Sequence, residues 1–168
     1  MEIAAVKYSI LDNGEIIDFS RASVEHNRVL KKLDFAVTAA VKPPCEVFRE
    51  QSYRWEQDTA AYRMPDLSVC CNPKSYNGVD ISAVPWFVAE VISKSTENTD
   101  KNEKMNLFAL VGVKEYWIVD PYKKEILIYI NKDGKFEFVK SMTDFKGRTC
   151  FTSAVEKELT FFIENLFD

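Results

Sequence analysis

The sequence predicts an α/β fold, a mixed central β-sheet flanked by helices with antiparallel hairpin extensions. Three observations carry this. The runs Leu67-Ser68-Val69-Cys70-Cys71 and Trp86-Phe87-Val88-Ala89-Glu90-Val91-Ile92 are almost continuously apolar, the pattern of strands covered on both faces. Residues 24–41 and 98–111 repeat apolar side chains at helical spacing. Ile126-Leu127-Ile128-Tyr129-Ile130 and Phe136-Glu137-Phe138-Val139 flank Asp133-Gly134, a tight hairpin signal.

At 168 residues and 46% hydrophobic, the chain suits one domain over residues 1–168. A net charge of -4 with 29% charged residues excludes a polybasic nucleic-acid coat but not a local basic groove. No apolar run approaches the roughly 18–20 residues that span a bilayer, and the start lacks a basic segment followed by a long apolar one. No membrane association and a cytoplasmic address are therefore expected. Cys45, Cys70, Cys71 and Cys150 show no CxxC spacing, so reduced, hydrophobe-like cysteines are expected. His26 is the sole histidine, too few nitrogen ligands for a zinc site.

In chain order, residues 3–10 and 16–19 flank Asp12-Asn13-Gly14-Glu15 and predict a first hairpin. Ser20 and Ser23 are candidate N-caps for a helix over 24–41 carrying Leu30, Leu33, Val37 and Val41 on one stripe. Lys42-Pro43-Pro44 ends it, because proline lacks the amide hydrogen and disfavours helical geometry in the residue before it. His26 lies one turn before Leu30 on that stripe, so it either packs locally or edges an active site. Residues 45–49 and 52–55 read as short, partly exposed antiparallel strands. The strand 67–71 reads as central, and the polar loop 72–84 joins it to the second central strand.

A polar connection rich in capping residues leads into the helix over 98–111. At about 100° per residue, Met105, Leu107, Phe108, Leu110 and Val111 cover one broad arc with Lys104 near its middle. Burying an ammonium without a partner is costly, so Lys104 should meet a carboxylate. Asp100, one turn earlier, is the local candidate, with Asp66 and Glu90 at the central strands as the others. Gly112 fits the helix end, the strand 115–119 closes at Asp120-Pro121, and the tail 159–167 should dock as a strand and a short helical turn.

Two carboxylates at neighbouring strand ends repel by roughly 4 kcal/mol at about 4 Å and an effective dielectric near 20. A divalent cation offsets this, and magnesium held by one or two carboxylates while keeping several waters is suited to work on phosphates. Lys104 would then stabilise the phosphate electrostatically. The alternative is a structural Lys-Glu ion pair with Asp66 as a loop-end residue, and spacing alone does not decide between them.

The run Arg63-Met64-Pro65-Asp66-Leu67-Ser68-Val69, then Pro85 to Glu90-Val91-Ile92-Ser93, Ser95-Thr96, Asp100, Lys104 and Gly112-Val113-Lys114-Glu115-Tyr116-Trp117-Ile118-Val119-Asp120-Pro121 closely resembles the Uma-two family of restriction endonuclease-like proteins. The resemblance covers most of the chain, His26 included, and implies the PD-(D/E)XK nuclease superfamily with its restriction-endonuclease-like core. By position it implies Asp66 and Glu90 as metal ligands, with the main-chain carbonyl of Val91 as a third. The superfamily lysine stands two residues after the second acid, where this chain has Ile92, and Lys104 is the substitute. Phe108 stands where family members commonly carry tyrosine, a packing change.

The leading expectation is thus a Mg²⁺- or Mn²⁺-dependent DNA endonuclease with Asp66, Glu90 and Lys104 as its catalytic set. His26 and Asp100 are accessory candidates, and Arg54, Arg63, Lys74, Lys94 and Lys101 are candidate DNA contacts. A homodimer is expected by family analogy, since many nucleases cut two strands. The alternative is a non-catalytic nuclease-fold binding or assembly module in which the acids and lysine form an ion-pair cluster. Other small α/β enzymes are disfavoured by the absence of GxSxG, GxxxxGK(S/T) and GxGxxG motifs.

Overall fold

A computed structural model describes residues 7–10, 16–19, 22–55, 64–74, 78–93, 104–143, 145, 147–155 and 159–168. β1 (Lys7–Ile10) and β2 (Ile16–Phe19) pair antiparallel, as the turn signal between them predicts. In α1 (Val24–Ala40) the Ser23 hydroxyl caps the first turn by accepting the His26 amide at 3.1 Å. The helix stops at Val41, whose backbone is extended, ahead of the two prolines.

β3 (Cys45–Arg49), β4 (Leu67–Cys71), β5 (Phe87–Val91), β6 (Glu115–Asp120), β7 (Glu125–Lys132) and β8 (Lys135–Met142) form a six-stranded sheet in chain order. Neighbours are antiparallel except β5 and β6, which run parallel. A parallel pair needs a long crossover, and the connection carries α2 (Met105–Val111). Of the helix expected over 98–111, residues 98–103 lie outside those described. Gly112 ends α2 with φ +99°, and the Val113 amide reaches back to the Phe108 carbonyl, the closure that a left-handed terminal residue permits. Asp133 and Gly134 have φ of 52° and 81°, the two positive values of a type I′ hairpin turn. β9 (Arg148–Thr152) and β10 (Thr160–Glu164) make a separate antiparallel pair.

Strand alternation sorts the sheet into two faces. Phe87, Ala89 and Val91 of β5 and Trp117 and Val119 of β6 pack with α1, β9 and β10. Val88 and Tyr116 and Ile118 pack on the other side with Phe108, Tyr53 and Trp55. β4 and β5 are buried nearly throughout, as central strands should be.

Two expectations fail. Residues 52–55 form no strand: Tyr53 makes a single bridge to Ile81, and Tyr53 and Trp55 are buried as a cover over the sheet. Cys45 and Cys71, expected as reduced thiols, are joined as a disulfide because the β3–β4 register sets them opposite each other. Cys70 and Cys150 are free thiols. Among the described residues no helix is long and apolar enough to cross a membrane.

Candidate active site

The β4–β5 register runs from Val69↔Phe87 to Leu67↔Ala89. Asp66 therefore stands at the end of the ladder, and the amide of Val91 lies beyond it. The side chain of Asp66 reaches across: its Oδ2 accepts the Val91 amide at 2.7 Å. The same oxygen accepts from Nε2 of His26 at 3.2 Å, because the capped first turn of α1 delivers a histidine that is 5% exposed to this rim.

Alternation places Glu90 on the α2 face, opposite in sense to Ala89 and Val91. Its side chain is 1% exposed, a costly position for a carboxylate without donors. Lys104, at the start of α2, offsets the cost with Nζ 3.2 Å from Oε2. The amide of Asp66 donates to the same oxygen at 3.3 Å. Backbone and side chain of Asp66 thus tie Val91 and Glu90 to one point, and two acids, one lysine and one histidine meet at one end of adjacent strands.

The sequence-derived set Asp66, Glu90, Val91, Lys104 and His26 is brought together. Ile92, where the superfamily lysine would stand, is 2% exposed and packs in the apolar layer, so a lysine there would be buried in that layer. Arg54 and Lys74 are exposed, their backbones tied to Ile81 and Ser82. Asp100, Arg63, Lys94 and Lys101 lie outside the described residues.

Sequence reasoning missed the neighbouring rim. Parallel pairing of Val91 with Val119 puts Asp120 at the same end of the sheet. Asp120 is buried and accepts the amides of Tyr122 and Lys123, both at 2.9 Å. The Tyr122 hydroxyl donates to Ser23 Oγ at 3.4 Å, linking this turn to the cap of α1. The Asp120-Pro121 pair was the available signal, since an aspartate at a strand end commonly caps the following turn.

The donors at the acid pair are carboxylate oxygens, which suit a hard cation and not zinc. Among the described residues no group of three His, Cys, Asp or Glu side chains stands at metal-binding spacing. Of these side chains, Asp66 and Glu90 are the two acids that meet at this rim, where the Asp66 amide donates to Glu90.

Comparisons with known proteins bear on the family and the fold. The family model Uma2, described as "Putative restriction endonuclease", matches residues 2–147. A Synechocystis protein, "Uncharacterized protein sll1609", is 28% identical over 125 residues, 72% of this chain and 71% of that protein. A second, "Uncharacterized protein slr1290" from the same organism, is 34% identical over 77 residues, 45% of this chain and 40% of its own length. The crystal structure of "a putative nuclease belonging to DUF820" from Anabaena variabilis superposes with a TM-score of 0.69 at 17% identity, covering 95% of this chain and 89% of that one. That likeness establishes the fold.

Proposed function

This chain belongs to the Uma2 family of restriction endonuclease-like proteins, and from that membership we propose that it is a divalent-metal-dependent endonuclease hydrolysing phosphodiester bonds in DNA. The observation that carries the proposal is the meeting of Asp66 and Glu90 at one sheet end, each held by a separate donor: His26 on Asp66 at 3.2 Å and Lys104 on Glu90 at 3.2 Å.

In this reading Asp66 and Glu90, with the Val91 carbonyl, hold Mg²⁺ or Mn²⁺. When bound, such an ion supplies water activation and neutralises charge developing on the phosphate. The Val91 amide and His26 fix the Asp66 carboxylate before substrate arrives, the preorganisation on which electrostatic catalysis depends. Lys104, with a side chain 25% exposed against 1% for Glu90, offers its ammonium to the phosphate from the solvent side of the rim. Arg54 and Lys74 are exposed candidates for backbone contacts along the DNA, with Arg63, Lys94 and Lys101 as sequence candidates beside them. A homodimer would cut two strands.

A second reading has its own observation. Each acid already has a donor partner, so the four residues also suit a structural cluster in a nuclease-fold binding module. Calorimetry with Mg²⁺ and Mn²⁺ on the wild type and on Glu90→Gln, with supercoiled plasmid cleavage in the same buffers, separates them. The nuclease reading expects metal binding and nicking that both vanish in the variant. A wild type that binds neither ion sinks it and favours the structural cluster.

A further inference from the structure

We infer that the outer face of α1, together with the β9–β10 hairpin, is a docking cleft for single-stranded nucleic acid. The buried stripe of α1 is Val29, Leu30, Leu33 and Val37; Arg28, Lys31 and Phe35 recur on the opposite side at spacings of three and four. Phe35 is 78% exposed and Phe162 of β10 is 48% exposed. Both line one cleft of about 680 Å³ together with Arg28, Lys31, Lys32 and Arg148. The guanidinium of Arg148 lies 4.1 Å from the centre of the Phe162 ring.

Charge complementarity chooses the occupant. The chain as a whole carries a net charge of -4, yet this cleft gathers four cationic side chains. Among the described residues neither Arg28 nor Lys31 pairs with a carboxylate. The cleft's two acids are Glu164, opposite Arg148 in the strand register, and Asp168, whose carboxylate lies 3.8 Å from Lys124. Lys32 is engaged by the carbonyl oxygens of Asn165 and Asp168, which leaves Arg28 and Lys31 to meet phosphates, while Arg148, beside Glu164, backs the Phe162 ring. Exposed phenyl rings among cations suit unpaired bases, whose faces stack on aromatics while the backbone tracks positive charge. An intact duplex hides those faces. A second copy of this chain is disfavoured, because a two-fold contact would set these cations against themselves.

The inference rests on the nuclease reading only in choosing DNA among anionic polymers. Its test is run without metal, so that the two fail separately. Fluorescence anisotropy in EDTA would compare labelled oligothymidylate with a duplex of equal length on the wild type, Phe35→Ala, Phe162→Ala and the double variant Arg28→Gln/Lys31→Gln. All four positions are exposed, so folding should tolerate the changes. Single strands should bind at least about tenfold more tightly than duplex, and each phenylalanine variant should weaken them about tenfold. The double charge variant should shallow the slope of log affinity against log salt by about 0.7 per charge removed. Equal affinity for duplex, or phenylalanine variants that bind normally, overturns the inference, as does self-association abolished by Phe35→Ala with no oligonucleotide binding. A wild type that nicks plasmid without preferring single strands overturns it and leaves the nuclease reading intact. Glu90→Gln that binds single strands but no longer nicks supports both.

Discussion

Oδ2 of Asp66 accepts the amide of Val91 at 2.7 Å, so the acid proposed as a metal ligand also closes the end of the β4–β5 ladder. The two duties separate by substitution. Val91 is 1% exposed, and an unmet buried amide costs about 1–3 kcal/mol. Asp66→Ala should lose that much in urea unfolding, while Asp66→Asn, which keeps an acceptor, should lose under about 1 kcal/mol. Both should lose magnesium binding and nicking in the proposed nuclease. Equal destabilisation by the two variants would show that the Val91 contact contributes little to the fold.

Removing Lys104 tests whether its pair with Glu90 is a placeholder for a cation. Lys104→Met leaves a carboxylate that is 1% exposed facing an apolar layer. Breaking a buried pair costs about 3–5 kcal/mol; partial exposure of the lysine lowers the expectation to about 2 kcal/mol. In the nuclease reading millimolar magnesium restores part of the lost melting temperature by occupying the acids, while cleavage falls about 10²- to 10³-fold. A variant whose melting temperature ignores magnesium points to the structural cluster instead.

What could be read in advance follows from how local each signal is. The apolar runs of β4 and β5, the Asp-Gly hairpin, the proline stop of α1 and Gly112 after α2 are all written within a few residues, and the structure has them. The Lys104 contact was foreseeable because one cation centred on an apolar arc demands a carboxylate. Asp66 and His26 are 40 residues apart, and their meeting depends on where α1 docks. The Cys45–Cys71 bond was hidden for the same reason, since only the strand register makes those positions opposite. Tyr53 and Trp55 read as strand because aromatic residues favour strands, but both serve as a lid on the core.

Glu115 is another feature hidden by distance, up to 40 residues from its partners, and yields a stability prediction. It is fully buried at the start of β6 and accepts from Trp117 Nε1 at 2.7 Å, from Ser153 Oγ, and from the amides of Ala154 and Val155 at 3.1 and 3.2 Å. One carboxylate thus fastens the segment after β9 to the central sheet, and no nearby residue in the sequence announces it. Glu115→Ala strands several donors, so a loss of about 3–5 kcal/mol is expected, a fall of roughly 6–20 °C in melting temperature at about 2–4 °C per kcal/mol. Metal binding per folded molecule, measured well below that temperature, should be unchanged. A melting temperature within a degree or so of wild type would show the tie to be dispensable.

Alkaline pH should weaken the fold through Cys70. Burial, and secondly the carboxylate of Glu46, push this thiol from its ordinary 9.0 up to about 11, and the side chain is inaccessible to solvent. The folded state therefore keeps a proton that the unfolded chain releases between those two values. Its contribution is fully present below pH 9 and is lost as pH rises toward about 11, to a total on the order of 2 kcal/mol. Burial also raises the Tyr129 phenol, with Glu125 adding to the effect, so a further loss sets in above pH 10. Cys70→Ala removes only the first component: its urea midpoint should fall less steeply than wild type between pH 9 and about 11, and the two curves should become more nearly parallel above that. Parallel curves throughout would mean that the thiol ionises as readily in the folded protein as in the unfolded chain. A thiol reagent at pH 8 checks the same point independently, because exposed Cys150 should react at once and buried Cys70 only on unfolding.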